Sequence, residues 1–286
     1  MARTHGKALA AWEEELAEAK DNPPTDRHAL QAAEFRGSWE SLWSDDFGKF
    51  EDTTKIPSMR FTDNPAPLFT ARVCHTVQIF SVRVAGDPNL KLTGPTRAVA
   101  MVCPVTFEVE LAVKGASESE DKNLSYLAVE LIRPTWGDSS LLIRDYTSKL
   151  STLELTLGHI FYSVEATISV QVIGGSWHGY RCQFSACTES LNQEVLLLDS
   201  GDEEMPVTGD GRIELSRKVA SVEHKGKLKV FVKAWHGDYL LLQDKVFIAK
   251  EAGRSHRKLD VGFCKFKITV AWSLVTVDYN PKKSLL

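Results

Sequence analysis

Two strings in this sequence set an aromatic ring beside an imidazole: Trp177-His178-Gly179-Tyr180 and Trp235-His236-Gly237-Asp238-Tyr239. Each follows an alternating apolar run, Ile168–Val172 in one case and Leu228–Ala234 in the other, so each reads as a hairpin tip. Glycine suits such tips because it tolerates positive φ. Turn chemistry is the first account of the repeat, since a three-residue match arises readily. The chemical account makes Trp177, His178, Trp235 and His236 the lip of a ligand site, its indoles offering stacking faces to a sugar or a base.

A second set of candidates is acidic. Asp199, Asp202, Glu203, Glu204 and Asp210 crowd one loop region, and calcium takes several oxygen ligands from loops of this kind. Their order is not that of an EF-hand, so a solvated acidic turn is the leading account and a metal site the lesser one. The histidines show no metal-binding spacing, and His159 alternates onto the polar side of its segment, where a solvated side chain is expected. No Gly-x-Gly-x-x-Gly, phosphate-binding Gly-Lys loop or Gly-x-Ser-x-Gly elbow occurs. Thus no catalytic residue is singled out, and no cofactor is expected.

The elements that must carry these residues change character along the chain. Lys7 to Lys20 has helical periodicity, ended by Pro23-Pro24, and Asp26 is placed to cap a second short helix through Phe35. Phe35, Trp39, Trp43, Phe47 and Phe50 then recur along one helical face, interrupted by Gly37 and Gly48. This stripe either packs on the body of the chain or offers a face to a protein partner. From about residue 71 the period becomes two. Val105–Val113, Ile160–Val172 and Cys264–Leu274 alternate apolar with polar, the mark of strands with one side on a core and one side wet. Shorter strands are predicted at Val77–Val84, Tyr126–Ile132, Glu194–Leu198, Arg212–Leu215, Leu228–Ala234 and Lys245–Ala249. The fold class is therefore mainly β: an antiparallel β-sandwich or open barrel-like sheet pair behind an N-terminal helical lead segment. Residues 1–60 form that lead and residues 61–286 the β-rich domain, with Phe107, Val109, Val164, Ile168, Phe266, Val270 and Trp272 facing inward.

Composition narrows the classes. The 286 residues are 43% hydrophobic and 25% charged, ordinary for a globular chain and sufficient for a sizeable core. Residues 1–60 hold 8 Lys/Arg and 12 Asp/Glu, so the whole net charge of −4 lies there and the body is neutral. A neutral body lacks the field of a general nucleic-acid binder. The five cysteines are few and odd in number, and no stretch is apolar enough to span a membrane. With no signal core at the start, the expected setting is cytoplasmic and reducing.

Several ordered strings carry a resemblance. Phe47-Gly-Lys-Phe-Glu-Asp-Thr-Thr-Lys-Ile-Pro-Ser-Met-Arg-Phe-Thr, Val77-Gln-Ile-Phe-Ser-Val-Arg-Val and Leu92-Thr-Gly-Pro-Thr-Arg-Ala-Val are three of them. Ser151-Thr-Leu-Glu-Leu-Thr-Leu-Gly-His-Ile, Leu198-Asp-Ser-Gly-Asp-Glu-Glu and Gly209-Asp-Gly-Arg-Ile-Glu-Leu-Ser-Arg are three more. They resemble an uncharacterised grass (Poaceae) family, a domain of unknown function found in some ribosome-inactivating proteins beside an rRNA N-glycosidase domain. The resemblance runs from about Phe35 to Leu274. It implies a non-catalytic binding or accessory module in plant stress or defence, with rRNA N-glycosidase activity as the alternative. Toward that alternative it brings one pair, Glu251 and Arg254, in the Glu-x-x-Arg order those enzymes carry on a helix. Here Gly253 and Ser255 make the string read as a polar turn. The family also carries a strand or two where Ala85-Gly-Asp-Pro joins Val84 to Asn89, so the edge at Val77–Val84 is expected to be exposed or re-paired.

Overall fold

The computed structural model describes residues 27–49, 52, 57–67, 69–102, 104–132, 134 and 137–276. The helix expected over Lys7–Lys20, the cap at Asp26, and Phe50 lie outside the described residues. Helix α1 spans Arg27–Phe47 without a break at Gly37, longer than the short helix predicted to end at Phe35. It stops at Gly48, whose φ of +85° and N–H to the Ser44 carbonyl are those of a C-terminal glycine.

Fifteen strands follow among the described residues. In chain order they are β1 (Ala71–Arg72), β2 (Cys74–Val84), β3 (Val99–Ala100), β4 (Val105–Val113) and β5 (Lys122–Leu131). Next come β6 (Ser140–Thr147), β7 (Thr152–Gly175), β8 (Arg181–Thr188), β9 (Glu194–Asp199) and β10 (Val219–Glu223). The last are β11 (Lys227–His236), β12 (Tyr239–Ile248), β13 (Ala252–Asp260), β14 (Cys264–Ser273) and β15 (Val275–Thr276). All recorded pairings are antiparallel. The sheets are thus of the predicted kind, and among the described residues no barrel closes. Arg212–Leu215 corrects one expectation: only isolated bridges form there, Gln171 with Arg212 and Val207 with Ile213. Strand β8 is the second arm of the hairpin expected at Trp177–Tyr180, whereas β6, β10, β13 and the two-residue β1, β3 and β15 were not predicted, being short or too mixed in polarity to show a two-residue period.

Strand β7, 24 residues long, organises the rest. Its first half pairs with β2 and β6, and its second half with β14 and β10. Tyr162, at φ +40°, sits where the register with β2 slips between Cys74 and Thr76. Before that point Leu153, Leu155 and Leu157 join Val77, Met101, Leu127 and Leu131 in one apolar cluster, with Phe107 and Val109 of the β4–β5 hairpin packed against it. After it Val164, Ala166, Ile168 and Val170 join the main cluster. There the seven-stranded sheet faces the sheet ordered β12-β11-β8-β9, with Phe184 meeting Phe266 edge-on at 5.4 Å. Val164, Ile168, Phe266, Val270 and Trp272 are fully buried as expected. Phe107 and Val109 are only half-buried, because β4 belongs to a two-stranded sheet with one partner.

Helix α1 rests on β5. Arg36 pairs with Glu108 at 2.5 Å and Glu110 at 3.0 Å, and its guanidinium stands 4.8 Å from the Tyr126 ring centroid. Phe35, Trp39, Trp43 and Phe47 are half-buried, while Leu30 and Leu42 are exposed. The edge of β2 is re-paired. Val99 and Ala100 pair with Val77 and Thr76, Leu90 N–H donates to the Val82 carbonyl, and Arg217 donates to the Ile79 carbonyl at 2.6 Å. Burial pushes the Arg217 guanidinium down to about 10.

Trp272 fills the main cluster and donates its indole N–H to Ser255 Oγ at 3.0 Å. Trp272→Ala should cost about 3–5 kcal/mol, the usual range for deleting a buried aromatic. Urea unfolding of the full chain measures it, and a loss below about 1 kcal/mol would contradict this packing.

Candidate binding surface at one end of the sandwich

The turn between β7 and β8 and the turn between β11 and β12 lie at the same end of the molecule. Strand β11 pairs with β8 so that Trp235 stands opposite Arg181, and with β12 so that His236 stands opposite Tyr239. Only Gly237 and Asp238 remain to turn the chain, and Gly237 takes a φ of +56°, as tight two-residue hairpin loops demand. Gly175 has a stricter reason: a Cβ there would lie 2.2 Å from the Phe263 carbonyl oxygen. That close approach lets the Tyr180 ring stack on Phe263 with centroids 3.5 Å apart. His236 then lies 4.9 Å from Tyr180, joining the two turns.

Each predicted site residue can now be placed. Trp177 is half-buried and packs on the main cluster, and Trp235 is half-buried with the Arg181 guanidinium 5.2 Å from its centroid. His178 and His236 are exposed. Asp199 takes both an Arg181 pair at 2.9 Å and the Gly201 N–H at 2.9 Å. Asp202, Glu203 and Glu204 are exposed, Glu204 lying 3.2 Å from His178. Asp210 is elsewhere, in a turn where it pairs with Arg212 at 3.1 Å and accepts from Thr208. Among the described residues, no three His, Cys, Asp or Glu side chains converge to hold a metal ion. The acidic string of the sequence is thus divided between two loops.

Two features of this end were not legible as site residues. Tyr180 links the two turns, yet in sequence it is one aromatic after a glycine. Tyr239, Leu240, Leu241 and Leu242 precede the strand predicted at Lys245–Ala249 and carry no predicted role, yet they belong to β12 and are 81%, 53%, 43% and 55% exposed. They stand on the end strand of their sheet, exposed even where Leu241 pairs with the fully buried Ala234.

The polar side of β7 also departs from expectation. His159, Ser163 and Glu165 are fully buried, not solvated. His159 and His75 share a 3.0 Å N···N hydrogen bond with rings stacked at 5.1 Å. Thr76 and Ser163 bond at 2.6 Å, and Glu165 takes Arg97 at 2.9 Å and the Ala98 N–H at 2.7 Å. The segments around Phe61 and Arg97 lie over this face, with Phe61 N–H donating to Ser273 Oγ. Glu251 and Arg254 flank the start of β13, a strand where a polar turn was expected. Arg254 forms a two-pronged pair with Asp63, and Glu251 meets His224 at 3.0 Å. Each is committed to a different partner. Between the sheets, a cavity of about 10 Å³ is lined by Phe80, Ile160, Ala186, Val195 and Leu228 with Gln78, space for a single water and no organic ligand.

A family model described as a domain of unknown function (DUF6598) matches residues 81–270. Among solved structures the chain is similar to the C2A- and C2B-domains of calcium-bound extended-synaptotagmin 2, at 10% identity and a TM-score of 0.27, over 74% of this chain and 90% of that one. It is also similar to human GIVD cytosolic phospholipase A2, at 8% identity and a TM-score of 0.26, over 73% of this chain and 31% of that one. Similarity at these TM-scores carries no argument about ligand or activity. No curated protein matches the chain.

Desolvation raises the Asp199 carboxyl, but the hydrogen bonds and charge of Arg181, with Gly201 and Gln183, outweigh it and hold the group below the usual carboxylate range. A depressed carboxylate contributes stability above its unfolded-state pKa, and that contribution is lost as pH falls through the folded-state value. NMR titration of Asp199 should therefore show a midpoint below that of a free aspartate, and Arg181→Met should move it upward. An unchanged midpoint in the variant would rule out Arg181 as the cause.

Proposed function

The chain belongs to the DUF6598 family, and we propose that it is a non-catalytic binding or accessory module whose contact surface is the β11–β12 hairpin tip. One observation carries this reading: four consecutive apolar side chains, Tyr239 to Leu242, stand exposed on both sides of one strand. Contiguous exposed apolar surface on a globular domain generally marks an interaction site, because leaving it in water costs about 25 cal/mol per Å². Trp235 and His236 stand opposite Leu240 and Tyr239, and His236 reaches Tyr180 of the turn that carries Trp177 and His178, which supports counting these residues with the surface. Residues 61–286 are taken as the binding domain and residues 1–60 as its lead, whose helix α1 rests on β5 through Arg36 and Tyr126. A role in plant stress or defence follows from the resemblance to the grass family alone. The acidic loop contributes charge to the surface and Asp199 to its rigidity.

The replacement pair Leu240→Ser and Leu242→Ser should abolish most binding of the dye bis-ANS to the native protein while changing unfolding free energy by less than about 1 kcal/mol. Equal dye binding by both proteins would remove the tip as the contact surface. Ribosomes incubated with the protein should show no aniline-sensitive scission of the large rRNA. Scission that disappears in Glu251→Gln would replace the module reading with the glycosidase one.

A further inference from the structure

We infer that Cys182 and Cys264 are a disulfide pair that joins the two sheets through the core when the chain folds in an oxidising medium. Both thiols are free and fully buried in the structure, and both belong to the main cluster. Cys182 is the first inward side chain of β8, and Cys264 the first of β14. The two strands run in the same direction: β14 is antiparallel to β7, and the short turn after β7 reverses the chain into β8 of the facing sheet. Inward residues therefore advance in step along them. Phe184 and Phe266, each two residues on from its cysteine, meet with ring centroids 5.4 Å apart. Tyr180 and Phe263, on the other side of the cysteines, stack with centroids 3.5 Å apart. Cys182 and Cys264 thus lie between two ring contacts that bridge the same two segments. The other described cysteines are placed differently. Cys187, five residues from Cys182, is on the opposite side of β8, beside Lys229 and Glu194. Cys74 stands opposite Ser163 and outside the main cluster.

Burial and, after it, the charge of Cys264 push the Cys182 thiol up to about 11, and burial also raises Cys264. Each sulfur is therefore within electrostatic reach of the other, and neither is an effective thiolate at neutral pH once the core is closed. The bond accordingly forms during folding, before the sheets close, and is shielded from reductant afterwards. In the first step one cysteine loses its proton, and the thiolate attacks a sulfur of glutathione disulfide, expelling a glutathione thiolate. The second protein thiolate then attacks the protein sulfur of the mixed disulfide, which forms the Sγ–Sγ bond and expels the second glutathione. Two protein thiols are oxidised, and one glutathione disulfide is reduced to two glutathiones. The bond closes a loop of roughly eighty residues, which restricts the unfolded chain far more than the folded one.

The test is to refold the full chain from guanidinium chloride in a mixture of reduced and oxidised glutathione, and to block remaining thiols with N-ethylmaleimide under denaturing conditions. Digestion without reductant and mass spectrometry should then give a peptide linking Cys182 to Cys264, with Cys74 and Cys187 blocked. The linked protein should melt about 10 °C above the same chain refolded in reductant. That gap should vanish in Cys182→Ala, in which Cys264 is found blocked. Free thiols at both positions in the folded, glutathione-treated protein, or linkage of either to another cysteine, would overturn the inference. A linked form that melts no higher than the reduced one would show that the core does not accommodate the bond, and would overturn it as well. If the chain precipitates on refolding, export to a bacterial periplasm supplies the oxidising medium, and the same peptide map decides.

Discussion

The length of β7 is the constraint on which the other strands depend. A strand of 24 residues has more edge and more face than one sheet neighbour can cover, so it recruits different partners along its course. Strands β2 and β6 flank its beginning, and β14 and β10 flank its end. Burial of Leu153, Leu155 and Leu157 calls for the β4–β5 hairpin, whereas burial of Val164 to Val170 calls for the second sheet. Hydrophobic burial on this scale is the dominant favourable term in folding, so neither cluster is dispensable. The slip at Tyr162 lets one strand serve both.

Edges receive two opposite treatments in the same molecule. At β2, where the short Val84–Asn89 connection leaves little chain to add a strand, β3, Leu90 and the Arg217 guanidinium take up its main-chain groups. At β12 no strand is added, and apolar side chains are left standing on it. Open edges invite association, and β12 differs from β2 in leaving apolar side chains standing beside its own. Polar groups follow the same economy of satisfaction. His159, Ser163 and Glu165 sit in the interior with hydrogen-bond partners, because an unsatisfied buried polar group costs more than its partnered form returns.

How much of this was legible depends on whether a residue's role is local or shared. The alternation of Val164, Ile168, Phe266, Val270 and Trp272 was sufficient to place them inside, since a two-residue period fixes which side chains share a face. The change from helical to strand period likewise gave the fold class. The Trp-His-Gly strings announced hairpin tips, and glycine's tolerance of positive φ is the reason they did. By contrast, the same alternation assigned His159 and Glu165 to water. A period says that two faces differ, and nothing about what a distant segment, here that around Phe61 and Arg97, lays over the polar one.

The sequence by itself determined the antiparallel β class, the inward side chains Val164, Ile168, Phe266, Val270 and Trp272, and the turns at the end of the sandwich, because each follows from propensity and spacing within a few residues. Tertiary structure alone decided that the two turns share one end, since the β8–β11 pairing that joins them links segments some forty residues apart. It decided also that Glu251 and Arg254 serve different partners, Asp63 being about 190 residues from Arg254 in the chain. Tyr239 to Leu242 make the sharpest case. Their composition is that of a buried strand, and their place on the end strand of the sheet leaves them in water even beside the fully buried Ala234, where apolar surface becomes a means of binding.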